Sequence, residues 1–160
     1  MNVRLIGPFV VATALMAAGC GERLIDVGQS EKLIRSAVVK QVGADVASVV
    51  CPDKVKVKAQ AAFTCVVTGR DGTKGTATVT QTNGKGAIRV SAPFLSKDLT
   101  QQSIQTDLRR RSPRATVVCP DIIVVKARRT FECQADLGPV DAIVTATQTD
   151  ADGNFTYTVK

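Results

Sequence analysis

The sequence repeats itself at an offset of 68 residues, and nothing else in it restricts the fold as much. Val49-Val50-Cys51-Pro52-Asp53 recurs as Val117-Val118-Cys119-Pro120-Asp121, and Val57-Lys58-Ala59 as Val125-Lys126-Ala127. Phe63 and Cys65 recur as Phe131 and Cys133. Ten of the seventeen positions from Val49 to Cys65 are identical in the second copy, with no gap. Such a period means that one supersecondary unit is built twice. The rest of each copy agrees more loosely. Thr76-Ala77-Thr78-Val79-Thr80-Gln81-Thr82 answers Ile143-Val144-Thr145-Ala146-Thr147-Gln148-Thr149, and a Gly-containing turn and a short alternating segment follow each.

Each copy is expected to open with a helix. In the first, Ser30 is placed to cap a helix that carries Ile34, Val38 and Val42 on one face and stops at Gly43. In the second, Ser96 caps a more polar helix with Leu99, Ile104 and Leu108, ended by Pro113. Strands are expected over residues 47–51, 62–68 and 76–82, with Arg70-Asp71-Gly72-Thr73 as a hairpin between the last two. The Thr-Xaa-Thr-Xaa-Thr alternation puts threonines on one sheet face and Ala77 and Val79 on the other. The second copy is expected to have a shorter link after Cys133, at Gly138-Pro139, and a less regular sheet there. The fold class that follows is α+β: two tandem small domains, each one helix packed on a three- to four-stranded antiparallel sheet. The expected limits are residues 30–93 and 94–160, preceded by a short linker over residues 20–29 and a signal peptide over residues 1–19.

Four of the five cysteines fall in the repeats, two per copy at equal spacing. Four cysteines allow three connectivities. Identical placement in both copies favours Cys51–Cys65 and Cys119–Cys133 over bridges between the copies. In an oxidising compartment each would close a loop worth roughly 3 kcal/mol in the chain-entropy account. Zinc on four thiolates is the competing reading, but the close cysteine pairs of such sites are missing. Pro52 and Pro120 end a strand, and Asp53 and Asp121 are expected to accept hydrogen bonds from the turn that follows. No catalytic role is assigned to either carboxylate.

The fifth cysteine is Cys20. Arg4 is followed by an apolar stretch from Leu5 to Ala18, the length of a signal-peptide core and short for a membrane span. Ala17-Ala18-Gly19-Cys20 resembles the lipobox of bacterial lipoproteins, although Ala17 stands where Leu is usual. The resemblance implies cleavage before Cys20, a diacylglycerol on its sulfur and acylation, for instance with palmitate, of the new amine. The other reading is ordinary signal cleavage that leaves Cys20 a plain thiol. The expected location is the outer face of the cell membrane, held by the lipid anchor.

The chain has no histidine, which removes imidazole-based acid–base catalysis and the commonest metal ligand. No enzyme activity, cofactor or metal is expected. The net charge is +7. Arg109, Arg110, Arg111 and Arg114 cluster at the end of the second helix, where positive charge also suits the helix dipole. Lys54, Lys56 and Lys58 alternate with Val55 and Val57, as in a strand with one wet face. Both basic clusters read as solvated faces with edge protection; the functional alternative is that the arginines contact anionic lipid, envelope glycan or an envelope protein, and an exported chain does not normally meet nucleic acid. The expected function is a non-catalytic interaction or structural module of the cell envelope. The alternative is a carrier or sensor that holds an apolar or glycolipid ligand between helix and sheet.

A helix followed by Val-Xaa-Cys-Pro-Asp, Phe-Xaa-Cys and Thr/Val-rich strands resembles the actinobacterial domain of unknown function 4333, found in exported or membrane-anchored envelope proteins. Cys51, Pro52, Asp53, Phe63 and Cys65 carry the resemblance in the first copy, and Cys119, Pro120, Asp121, Phe131 and Cys133 in the second. The resemblance implies location and fold. It brings no catalytic or ligand residues with it.

Overall fold

The computed structural model describes residues 23–160. The signal segment and Cys20 lie outside the described residues. The first unit runs α1 (Val27–Val42), β1 (Val46–Val50), β2 (Ala62–Gly69), β3 (Lys74–Gln81) and β4 (Ile88–Ser91). The second runs α2 (Lys97–Leu108), β5 (Thr116–Val118), β6 (Thr130–Asp136), β7 (Asp141–Gln148) and β8 (Phe155–Val159). Each unit is one antiparallel four-stranded meander in sequence order, covered on one face by its helix.

The period of two in the strands decides which face is covered. Ala77, Val79 and Gln81 point inward from β3, while Thr76 and Thr78 are exposed. Ile34, Val38 and Val42 of α1 fill the layer above Val49, Cys65, Val67, Ala77 and Val79. In the second unit Ile104 meets Val117, Cys133, Ala135 and Val144. Of the helix residues expected inside, Ile104 is buried and Leu108 partly so, but Leu99 is 68% exposed and Thr100 takes its place on the buried face.

Three further expectations change. The cap of α1 is Asp26, whose carboxylate accepts from the Gln29 N–H at 2.9 Å, so the helix begins one turn before Ser30. Ser30 is buried, and its hydroxyl donates back to the Asp26 carbonyl. Residues 54–58 are not a strand. They are an extended segment with one isolated bridge, Lys56 to Leu24, so residues just before α1 fold onto the first unit. The hairpin after Cys133 is as long as its counterpart, with seven residue pairs in each. Gly138 in the left-handed region closes the four-residue link Leu137 to Val140, which replaces Arg70 to Thr73 without shortening the strands.

A buried glutamine recurs in both units. Gln81 accepts from the Lys58 N–H at 2.7 Å and donates to the Lys56 carbonyl at 2.9 Å. Gln148 does the same with Lys126 at 2.9 Å and Val124 at 2.9 Å. Each amide stands in for the missing partner strand and ties the extended segment to the sheet. Each is 1% exposed, so removing it would strand two backbone groups at about 1–3 kcal/mol apiece.

The units are joined by direct packing. Phe94 and Ile122, from the second unit, belong to the first unit's core cluster. Both press on Gly75 of β3, where any Cβ would overlap the Phe94 ring. Gln41 of α1 donates to the carbonyls of Ala92 and Phe94 at 2.8 and 3.0 Å. The left-handed residue that ends α1, Gly43, lies against Asp98 in the first turn of α2.

Candidate functional site

The four repeat cysteines pair within their own units, as Cys51–Cys65 and Cys119–Cys133, each with an S–S distance of 2.05 Å. All four are buried between helix and sheet. The helix holds the first of each pair by its backbone: the Cys51 N–H donates to Glu31 at 3.0 Å and the Cys119 N–H to Gln101 at 2.9 Å. Among the described residues no group of three or more His, Cys, Asp or Glu is arranged to hold a metal ion.

The repeated aspartates do different things. Asp53 is exposed. Asp121 is 7% exposed and anchors the junction rather than its own turn. Its carboxylate takes the Lys97 ammonium at 2.6 Å and the Asp71 N–H at 3.1 Å. In return the Asp121 N–H donates to the Asp71 carboxylate at 2.8 Å, and the Ile122 N–H to the Thr73 hydroxyl at 3.0 Å. Burial of Asp71 raises its pKa, but the Thr73 hydroxyl, the N–H groups of Asp121 and Thr73, and Lys97 outweigh it and hold the carboxyl below its usual value. Sequence reasoning missed this junction. Asp53 and Asp121 sit in the same Cys-Pro-Asp motif, followed by Lys54 in one unit and Ile122 in the other, and only the second has a hairpin docked on it.

The four expected arginines come together where α2 ends. Arg109 caps the helix, and its Nε donates to the Ala115 carbonyl at 3.0 Å, fixing the descending turn. Arg110 lies 3.7 Å from Asp107. Arg111 and Arg114 are exposed, and neither makes an ion pair among the described residues. Beside them is an open groove of about 750 Å³ between the end of α2 and edge strand β8. Leu108, Phe155, Tyr157 and Val159 give it an apolar side, and Asp107, Arg110 and Arg111 a charged one; Thr156 and Thr158 border it from the strand, their side chains on the opposite face of β8. The Tyr157 hydroxyl donates to Asp107. Burial first, and then that carboxylate, push the phenol up to about 12, so it remains a fixed donor at any ordinary pH. Phe155 is braced edge-on against Phe131, with ring centroids 5.7 Å apart.

The groove arises from helix length. The α1 helix has 16 residues and buries Val38 and Val42 in its second half, but α2 has 12 and stops after Leu108. The turn that follows carries arginines where α1 continues to Val42, and the inner face of β8, like that of β4, is only half-buried. Other concavities are shallow surface features: one of about 710 Å³ at the junction, beside Arg70, Lys97 and Asp98, and one of about 560 Å³ on the outer face of the second sheet. No helix among the described residues is long and apolar enough to cross a membrane.

Residues 10–86 match the family model described as Domain of unknown function (DUF4333). The match takes in α1 through β3 and stops in the turn before β4, so the second unit lies outside it. No curated protein and no solved structure matches the chain.

Proposed function

We propose that the chain is a non-catalytic lipoprotein of the cell envelope. In this reading two copies of the matched domain form one stiff module, tethered through Cys20 at the outer face of the membrane. The observation that favours an interaction or structural module over a carrier is the filled helix–sheet layer. Ile34, Val38 and Val42 occupy it in the first unit and Ile104 in the second, against disulfides and small aliphatic side chains. A carrier would need an enclosed apolar space of several hundred Å³ there. The concavities of comparable volume open at the surface instead. The tether is supported by the Ala17-Ala18-Gly19-Cys20 segment, the even cysteine pairing that leaves Cys20 over, and the oxidised state of the other four.

Intact mass of the mature protein tests this reading. The expected product begins at Cys20 and carries a diacylglycerol, and Cys20→Ala releases the chain from the membrane fraction with both disulfides intact. A mature chain with an unmodified thiol at residue 20 would overturn the tether. Lipid co-purifying in stoichiometric amount with the Cys20→Ala chain would bring back the carrier.

A further inference from the structure

The two helices follow one another end to end. Gly43, at the last turn of α1, touches Asp98 in the first turn of α2, and the helices do not pack side by side. Their 16 and 12 residues span about 24 and 18 Å. Arg23 precedes the start of α1 and the Arg109–Arg114 turn follows the end of α2, in each case the helix end away from the Gly43–Asp98 contact. The sheets agree: the first unit's hairpin at Asp71 abuts the second unit, whereas the second unit's hairpin at Gly138 has open space around it.

If Cys20 carries the anchor, three residues before Arg23, the arginine groove is held at the end remote from that bilayer. We infer that this groove binds an anionic polysaccharide beyond the membrane, not the headgroups of the membrane to which the chain is fixed; the orientation rests on the tethered reading above. The groove's chemistry fits that ligand. Arg111, exposed and without an ion pair among the described residues, supplies a forked donor for carboxylate or phosphate groups, with Arg110 beside it. Tyr157, Phe155, Leu108 and Val159 offer the flat apolar side that the C–H face of a pyranose needs. The groove is open, so a polymer can pass through it, while an acyl chain would remain half in water. Asp107 also lines the groove, where the Tyr157 hydroxyl donates to it and Arg110 lies 3.7 Å away, so Arg111 is the cation left for the ligand's acid group.

The test uses two arms. The lipidated mature chain in phosphatidylcholine vesicles is titrated with soluble polygalacturonate, and the Cys20→Ala chain is mixed with phosphatidylglycerol vesicles. Arg110→Ala with Arg111→Ala is compared with Lys54→Ala with Lys58→Ala, which removes the same charge from the other unit. The expected result is polysaccharide retention that falls about tenfold in the arginine variant, or about 1.4 kcal/mol, and under about twofold in the lysine variant. Both pairs are exposed, so unchanged melting temperatures are expected. No retention, or equal loss in both variants, overturns the proposal. Arginine-dependent capture of phosphatidylglycerol vesicles in preference to the polysaccharide overturns it in favour of a lipid surface. The Cys20→Ala chain is also titrated with polygalacturonate: if Cys20 proves unlipidated, the tether reading fails while this arm still decides the groove's ligand.

Discussion

Asp53 and Asp121 occupy the same place in the same loop, yet one is exposed and the other is buried under Lys97 and Asp71. The contrast extends along the whole junction. Ile122, 5% exposed against the first unit, stands where the first unit has exposed Lys54. Phe94 bridges Val124 as Leu24 bridges Lys56, but Phe94 is 4% exposed and Leu24 is 53% exposed. Gly75, which admits the Phe94 ring, pairs with Val67; its counterpart Ala142 pairs with Ala135. One plan was used twice, and a few residues decide which ends meet. A lysine at the first unit's free end and a methyl group at the second's leave both ends without the surfaces that make the junction.

The disulfides give the largest effect by which this equivalence can be broken. Both pairs are separated by 14 residues, so both should contribute about 3 kcal/mol. Cys51→Ala with Cys65→Ala, and Cys119→Ala with Cys133→Ala, should each lower the urea-unfolding free energy by that amount. In the fully reduced wild-type chain the second unit should open first, because α2 buries Ile104 where α1 buries Ile34, Val38 and Val42. A loss below about 1 kcal/mol for either pair would show that the two staples are not equivalent.

The aspartates come next. Asp121→Ala removes a pair whose side chains are 21% and 10% exposed and strands the Asp71 N–H. The expected cost is about 2 kcal/mol, the loss for a buried pair reduced for partial exposure. Asp53→Ala should cost no more than about 0.5 kcal/mol. The junction also gains a pH dependence through Asp71, in whose place the second hairpin has Gly138. The Asp71 pKa is lowered in the fold from 3.8. Its stabilisation is therefore complete above that value and disappears as pH falls through the lower folded pKa. Amide exchange at Ile122 should accelerate on acidification, relative to Val49, through that window. Equal protection of both sites down to pH 2 would remove Asp71 from the latch.

Much of this was legible in the sequence because it is local or periodic. The offset of 68 predicts twin units, equal cysteine spacing predicts bridges inside them, and strand alternation places Ala77 and Val79 inside. The buried glutamines also had a signal that went unread. Gln81 and Gln148 fall in phase with Ala77 and Val79 and with Val144 and Ala146, and a polar residue on a buried phase needs a specific partner. The junction had a partial one, since Ile122 and Val124 stand where the first unit has Lys54 and Lys56, but it names no partner. Lys97, Asp71 and Thr73 are ordinary surface residues until another unit lies on them, and no local pattern records which surfaces meet. The groove beside Arg110 depends on α2 ending one turn earlier than α1, and the sequence marks a helix end only loosely where arginines, themselves good helix formers, carry on to Pro113.

The caps give the smallest effect, and they separate local chemistry from position in the repeat. Asp26 and Ser96 are equivalent N-caps, with acceptor distances of 2.9 and 3.3 Å to the N–H groups of Gln29 and Leu99. Asp26 also supplies the negative charge at its helix start, since α1 has no acidic residue in its first turn. Helix α2 carries Asp98 there, so Ser96 needs only to supply a hydrogen bond. Asp26→Ala should therefore cost about 1 kcal/mol and Ser96→Ala about 0.5 kcal/mol, with Asp26→Ser falling between. Raising the salt concentration should shrink the Asp26→Ala penalty and leave the Ser96→Ala penalty unchanged, because only the first includes a screened charge. If Ser30→Ala proved costlier than Asp26→Ala, the helix would begin at the later residue after all. The structure opposes that, since the Ser30 hydroxyl is turned back onto the Asp26 carbonyl and no helix N–H remains for it to cap.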